Sequence, residues 1–376
     1  MIILGIETSC DETSIGILEA KKTKAGFFIK PLNNTISSQI KIHQKYGGVV
    51  PMLANREHTK NIPIVFRKAL RKTFGSEENA VSKIDLITVT KGPGLILSLL
   101  IGVNFAKTLA WFWEKPIIGI NHLEGHLFSF LLPEIKYPKP KTLSMQNAKI
   151  IFPAVCLLIS GGHTQLIYIK KFGDYKIIGE TRDDAAGECF DKGARILGLD
   201  YPGGPAIAKE ASKYKKQGSK YKMLDTEYKL RLPRPMINSQ DYDFSFSGLK
   251  TALLYLTQEI NFSSQKKKLT PILAYELEEA ITDVLIIKTI KAAKNLKAKS
   301  IILAGGVSAN QRLREKFQEK LRSKDLHNIN FYAPLLEYTT DNAIMIALIG
   351  FFHYLNYPHK KFWTWEKIQA EANLRL

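Results

Sequence analysis

Hydrophobic residues in the first third of the chain fall into short runs broken by polar turns. IILGIET and SIGILEA are β-rich runs on either side of Ser9-Cys10-Asp11-Glu12-Thr13, which predicts a hairpin with acids and hydroxyls at its tip. GFFIKPLNNT predicts a third strand. After it the pattern predicts a helix over about 55–73, the strand IDLITVT, a GPG turn, a long apolar helix ending at Trp113, and the strand PIIGI. The order is three strands, helix, strand, helix, strand.

A second copy of that order follows a polar, Pro-containing stretch at 133–149 that reads as a loop or linker. VCLLIS and QLIYIK flank Gly161-Gly162-His163-Thr164, and YKIIGE is the third strand. A helix over about 271–296, the strand SIILAGG, a helix over about 309–321, the strand NINFYAP and a helix from Asp341 complete it. The repetition predicts an α/β protein of two related lobes with a ligand cleft between them. The first lobe covers 1–132 and is completed by a C-terminal helix at about 345–376; the second covers 150–344, with an insertion rich in Lys, Tyr and Pro at about 209–268.

Composition narrows this picture. A length of 376 residues with 45% hydrophobic side chains favours two lobes over one. Cys10, Cys156 and Cys189 are odd in number and far apart, so neither a disulfide framework nor a zinc ribbon is indicated, and a reducing, cytoplasmic setting is expected. MIILGIET lacks a basic leader region and carries Glu7, which argues against a signal peptide. The longest apolar runs, 95–106 and 343–352, are too short to span a bilayer, so no membrane insertion is expected. A formal net charge of +19 suits a polyanionic partner such as nucleic acid, although most of the excess is lysine, which also serves as ordinary solvated helix surface.

Three turns after strands, at 8–13, 160–164 and 305–310, combine Gly, Ser, Thr and Asp. Any one of them is explained by tight turning alone; three at equivalent places in a duplicated fold point to a nucleotide. None is a P-loop, and no G-x-G-x-x-G follows a strand. His122 and His126 stand four apart in NHLEGH at a predicted helix start, so both imidazoles can address one metal ion; one capping and one packing histidine is the bland account. A zincin peptidase would need Glu directly after the first histidine, where this chain has Leu123, with Glu124 one place late. Asp341 in TTDNA is the best third ligand, against the plain alternative of a helix-capping aspartate. Glu188, Asp191 and Arg195 are spaced for a salt-bridged helix surface; alternatively Asp191 accepts hydrogen bonds from a substrate hydroxyl, with PGGP at 202–205 lying over the same ligand.

Taken together, GIETSCDETS, NREHTKNI, TKGPGL, NHLEGH, SGGHTQL, DDAAGECFDK, LGLDYPGGP, DFSFSGLKTALL, LAGGVSANQRLRE and TTDNA resemble, in order and over nearly the whole chain, the TsaD family of tRNA N6-adenosine threonylcarbamoyltransferases. The resemblance implies duplicated actin-like (ribonuclease H-like) lobes with an adenine nucleotide in the cleft. It implies that His122, His126 and Asp341 hold one divalent metal, iron or zinc, and that Asp11 and Glu12 form a catalytic acidic turn. It further implies that Leu158, Ile159, Ser160, Gly161, Gly162, Asp191, Gly204 and Asn310 contact threonylcarbamoyl-AMP, the donor. The implied partners are tRNA, a TsaB-like paralogue and a TsaE-like ATPase, with the donor made by a separate synthase. Met52 and Leu97 depart from the family pattern outside this set. A metal-dependent peptidase and a non-catalytic nucleotide-gated scaffold are the alternatives.

Overall fold

The computed structural model describes residues 1–24, 26–133, 144–145, 151–216, 230–356 and 364–376. It comprises two compact units, Met1–Lys149 with Pro334–Leu376, and Ile150–Ala333. Most of the 133–149 stretch and residues 217–229 of the 209–268 region lie outside the described residues.

In the first unit, β1 (Ile2–Glu7), β2 (Glu12–Thr23), β3 (Gly26–Ser38), β4 (Leu86–Gly92), β5 (Ile117–Asn121) and β6 (Ser144–Met145) form one sheet in the order β5-β4-β1-β2-β3-β6. β1, β4 and β5 are parallel, while β2 and β3 run as antiparallel hairpin strands beside them. Side chains alternate across β1. Leu4 and Ile6 join Ile87 and Val89 in a core with Ile62, Phe66, Leu70, Val103 and Ala106 from the helices Pro51–Phe74 and Ile96–Trp113. Gly5 points the other way and pairs in register with Gly16. A Cβ at Gly5 would lie 2.1 Å from the Ala343 carbonyl oxygen, and one at Gly16 would lie 2.6 Å from the Ile344 nitrogen. Two facing glycines therefore let the start of the helix Ala343–Asn356 rest directly on the sheet, which fixes where the preceding residues lie.

One helix of the first unit departs from its expected start, and another exceeds the apolar run on which the bilayer expectation rested. Pro51–Phe74 starts earlier than residue 55, with Pro51 in its first turn, and continues through Pro63. An internal proline costs a helix about 3 kcal/mol, but Ile62, Val65, Phe66 and Leu70 are buried along one face, each contributing about 1.5–3 kcal/mol. Burial wins. Ile96–Trp113 is longer than the apolar run at 95–106: with 18 residues and a mean hydropathy of 1.5, it is long and apolar enough to cross a membrane. It nonetheless buries Leu99, Val103, Ala106 and Ala110 on one stripe inside the first unit.

The second unit has β7 (Ala154–Ile159), β8 (Thr164–Lys171), β9 (Asp174–Glu180), β10 (Ser300–Ala304) and β11 (Asn330–Tyr332) in the order β11-β10-β7-β8-β9. β7, β10 and β11 are parallel, and β8 and β9 are antiparallel. This repeats the order and polarity of the first five strands, so the α/β class and the duplicated actin-like arrangement are both present. Val155, Leu157 and Ile159 pack with Phe190, Leu253, Leu277, Ile281 and Phe317. The helices Gly203–Lys216 and Ser247–Glu259 contribute Ile207, Ala211, Leu249 and Leu253 to this core, so the described parts of the 209–268 region belong to the unit's interior. The long helix Phe262–Asn295 begins before Pro271 and kinks at Gln265 (φ −123°, ψ 18°), rather than starting at the proline.

Candidate metal centre and glycine turns

Asn121, the last residue of β5, accepts a hydrogen bond from the Leu123 amide (2.9 Å) and so starts the helix His122–Phe128. The cap is therefore neither histidine, and His122 and His126 lie one turn apart on the same side. At the start of the helix Ala343–Asn356, the Ala343 amide donates to Ser14 Oγ (3.0 Å) and the Met345 amide to Asn342 Oδ1 (3.0 Å). Asn342 thus does the capping that could have been assigned to Asp341. Asp341 Oδ1 instead lies 3.1 Å from His126 Nε2 and 3.3 Å from His122 Nε2. One ligand atom from each of the three residues falls within 4.8 Å of the others, and the two imidazoles meet edge to face at 4.7 Å.

The far side of His122 is held by a residue that sequence reasoning passed over. Glu7, fully buried at the end of β1, accepts from His122 Nδ1 (2.8 Å), from Thr90 Oγ1 (2.5 Å) and from the Ser9 amide (2.5 Å). Burial alone would drive the His122 imidazole neutral, but the carboxylates of Asp341 and Glu7 on either side outweigh it and raise its pKa well above the ordinary value. Burial likewise opposes ionisation of Asp341 and Glu7, yet the His122 charge and its hydrogen bonds hold both carboxyls below their usual range. His126, where burial prevails, is lowered. The cluster thus sets the His122 imidazole between two carboxylates, one at each ring nitrogen. Two imidazole nitrogens and a carboxylate oxygen fit a borderline divalent ion such as zinc or iron.

Asp11 and Glu12 are both buried at the tip of the β1–β2 turn. Glu12 Oε1 accepts from Ser38 Oγ (3.1 Å), and burial, followed by the charges of Asp11 and Asp341, raises its pKa well above the carboxylate range. The Asp341 charge also reaches Cys10, so turn and ligands share one electrostatic neighbourhood. His58 straps the turn: its Nε2 donates to the Cys10 carbonyl (3.0 Å) and its Nδ1 accepts from Thr13 Oγ1 (2.8 Å).

In the second unit the predicted residues divide by chemistry. Leu158 and Ile159 are fully buried, so their side chains serve the core. The Ser160 amide donates to the His163 carbonyl (2.8 Å), and Ser160 Oγ accepts from the His163 amide (3.0 Å), which leaves Gly161 and Gly162 as the exposed part of the turn. A Cβ at Gly187 would lie 2.5 Å from the Ser160 carbonyl oxygen, and one at Gly305 2.4 Å from that of Ile159. The start of the helix Ala186–Leu197 and the turn after β10 therefore each press, backbone to backbone, on the carboxyl end of β7. Asp191 Oδ1 accepts from the Gly203 amide (2.6 Å), fastening the PGGP turn with Gly204 open beside it, and burial raises its pKa. Glu188 pairs with Lys192 (2.8 Å). Asn310 caps the helix Gln311–Leu321 by accepting from the Leu313 amide (2.8 Å), and its Nδ2 donates to Glu278 (2.8 Å).

The model of the family "TsaD: tRNA N6-adenosine threonylcarbamoyltransferase" matches residues 30–348. The chain belongs to the TsaD family. It is 46% identical to the tRNA N6-adenosine threonylcarbamoyltransferase of Thermosipho africanus (strain TCF52B), over 93% of this chain and 94% of the relative. It is 44% identical to that of Persephonella marina (strain DSM 14350 / EX-H1), over 93% and 90%. Among solved structures, full-length HypF in its phosphate- and nucleotide-bound form is similar over 94% of this chain and 46% of its own length, at 12% identity and a TM-score of 0.45.

The geometry also weakens the peptidase alternative. Glu124, the one acid in the histidine helix, is buried and bonds His353 Nε2 (2.8 Å), so it is not placed as a free base for water. Glu7, Thr90, the Ser9 amide and His58 hold the predicted residues in place, and sequence reasoning gave none of them a part. One signal pointed at the first of them: an acid closing an otherwise apolar strand demands a buried partner.

Proposed function

We propose that this TsaD-family chain transfers the threonylcarbamoyl group from threonylcarbamoyl-AMP to N6 of the adenosine 3′ of the anticodon, in tRNAs reading codons that begin with A. The observation that carries this reading is the convergence of His122, His126 and Asp341 in a chain so similar, end to end, to threonylcarbamoyltransferases. His122, His126 and Asp341 hold one iron or zinc ion. When bound, that ion supplies Lewis-acid stabilisation of negative charge.

The exocyclic amine of adenosine is a weak nucleophile, so the chain works mainly by positioning. A new C–N bond forms as N6 attacks the carbamoyl carbon, the C–O bond to the phosphate breaks, and AMP leaves with the electron pair. Asp11 orients the amine and accepts its proton. Glu12, whose carboxyl is pushed above its ordinary range by burial and by the charge of Asp11, completes the acidic turn. In the second unit, the open Gly161 and Gly162 backbone, Asp191 and Gly204 contact the donor, the amides suiting its phosphate. The protein acts in the cytoplasm with a TsaB-like paralogue and a TsaE-like ATPase, on donor made by a separate synthase.

The test is mass analysis of nucleosides from tRNA incubated with threonine, bicarbonate, ATP, the synthase, the partners and this chain. Threonylcarbamoyladenosine should form only when the chain is included; its absence, with adenylate and partners still bound, would leave the scaffold alternative. Asp11→Ala should lower transfer by about 10²-fold or more with donor binding intact, and full transfer by that variant would remove the role given to Asp11.

A further inference from the structure

We infer that Glu7 is a positioning residue of the metal centre, fixing the tautomer and orientation of His122 so that Nε2 offers its lone pair to the ion; the inference rests on the centre proposed above. An imidazole binds a metal through one nitrogen only when its proton resides on the other. For His122 that proton has a destination: Nδ1 lies 2.8 Å from Glu7 Oε2. Glu7 cannot swing away, because Thr90 Oγ1 donates to the same oxygen and the Ser9 amide to the other, each at 2.5 Å, and the side chain is wholly buried.

His126 provides the internal contrast. Its Nε2 faces Asp341, while its Nδ1 is buried with no hydrogen-bond partner among the described residues. To use Nε2 as a ligand, His126 must place its proton on a nitrogen that has no acceptor, which is unfavourable. The two histidines are therefore unequal ligands. His122, backed by a carboxylate, is the more basic and better oriented donor, and the affinity of the site leans on it. The carboxylate that does this is 115 residues away in sequence from the histidine it holds.

The experiment counts metal, not product. The full-length chain is stripped with a chelator and dialysed against buffers of graded free Zn²⁺, and bound zinc is measured by plasma mass spectrometry. Wild type should take up one ion, and His126→Ala should lose it. Glu7→Gln, with the same shape but no charge, should need about 10–100-fold more free zinc for half-loading. Thr90→Val, which keeps the carboxylate and removes its restraint, should shift in the same direction by a smaller factor. Melting temperatures without zinc separate the two explanations: a merely structural Glu7 lowers the melting temperature and leaves half-loading where it was. If Glu7→Gln does not fold, Thr90→Val decides, and unchanged half-loading overturns the inference. A wild-type chain that binds no zinc refutes the centre itself, whereas a folded Glu7→Gln that loads like wild type refutes only the role of Glu7.

Discussion

The turn joining β1 to β2 and the turn joining β7 to β8 occupy the same place in the repeated strand order, yet one is lined with buried acids and the other with exposed glycine backbone. Around the first, Glu7, Asp11, Glu12, His58, His122, His126 and Asp341 enclose charge that must be balanced by partners. Around the second, polar side chains are tied up internally: Ser160 with His163, Asp191 with Gly203, and Asn310 with both Leu313 and Glu278. One architecture thus offers two chemistries, side-chain ligation in one unit and main-chain presentation in the other. The first should fail through lost function when a side chain is removed. The second should fail through lost stability when a side chain is added.

Asp341→Ala is the largest test of the first half of that contrast. It removes the carboxylate shared by both histidines, at 3.1 and 3.3 Å. Outer partners of metal ligands typically account for 10–100-fold in affinity or activity, so losing a direct ligand should lower transfer by more than about 100-fold. Zinc uptake should be abolished while circular dichroism stays unchanged. Full uptake by the variant would show that the three side chains do not act as one centre.

Gly305→Ala tests the second half. Gly305 sits at φ 80°, ψ 172°, a region open essentially to glycine alone, and its added Cβ would lie 2.4 Å from the Ile159 carbonyl oxygen. Strain of about 1–3 kcal/mol and overpacking of about 1–3 kcal/mol should together lower stability by about 3 kcal/mol, read as a fall in the urea midpoint. Gly162→Ala is the matched control, since nothing lies within 4 Å of its Cβ. It should change stability by less than about 0.5 kcal/mol and raise the KM for the donor. Equal destabilisation by both variants would break the distinction between packed and presented glycines.

The strand pattern and the histidine pair were legible because each is a local signal: alternation within a run, and four-residue spacing on one helix. The full ligand set was less so. Asp341 was readable only as one of two alternatives, and the deciding fact, that Asn342 makes the cap bond to Met345, depends on a one-residue offset in where the helix begins. Glu7 was invisible as a partner of His122, since no sequence rule joins residues so far apart. A proline misled in the opposite direction. Pro271 read as a helix start, but it lies inside a helix whose buried face outweighs the missing amide, as Pro63 does in its own helix. Leu158 and Ile159, named with their turn, lie on opposite faces of β7, and both side chains are buried.

The smallest effect concerns Asn310, where both accounts predict a loss and only its kind differs. Its Oδ1 accepts from the Leu313 amide and its Nδ2 donates to Glu278, so both ends of the amide are already engaged at 2.8 Å. Asn310→Ala should therefore cost about 1 kcal/mol through the missing helix cap. The KM for the donor should stay at its wild-type value, because the bonds at both ends hold the amide to the helix start and to Glu278. Burial raises the pKa of Glu278, and its bond from Asn310 opposes that, so removing the amide should raise it further. A tenfold rise in donor KM with unchanged stability would place Asn310 among the ligand contacts, and the second unit would then share the side-chain strategy of the first.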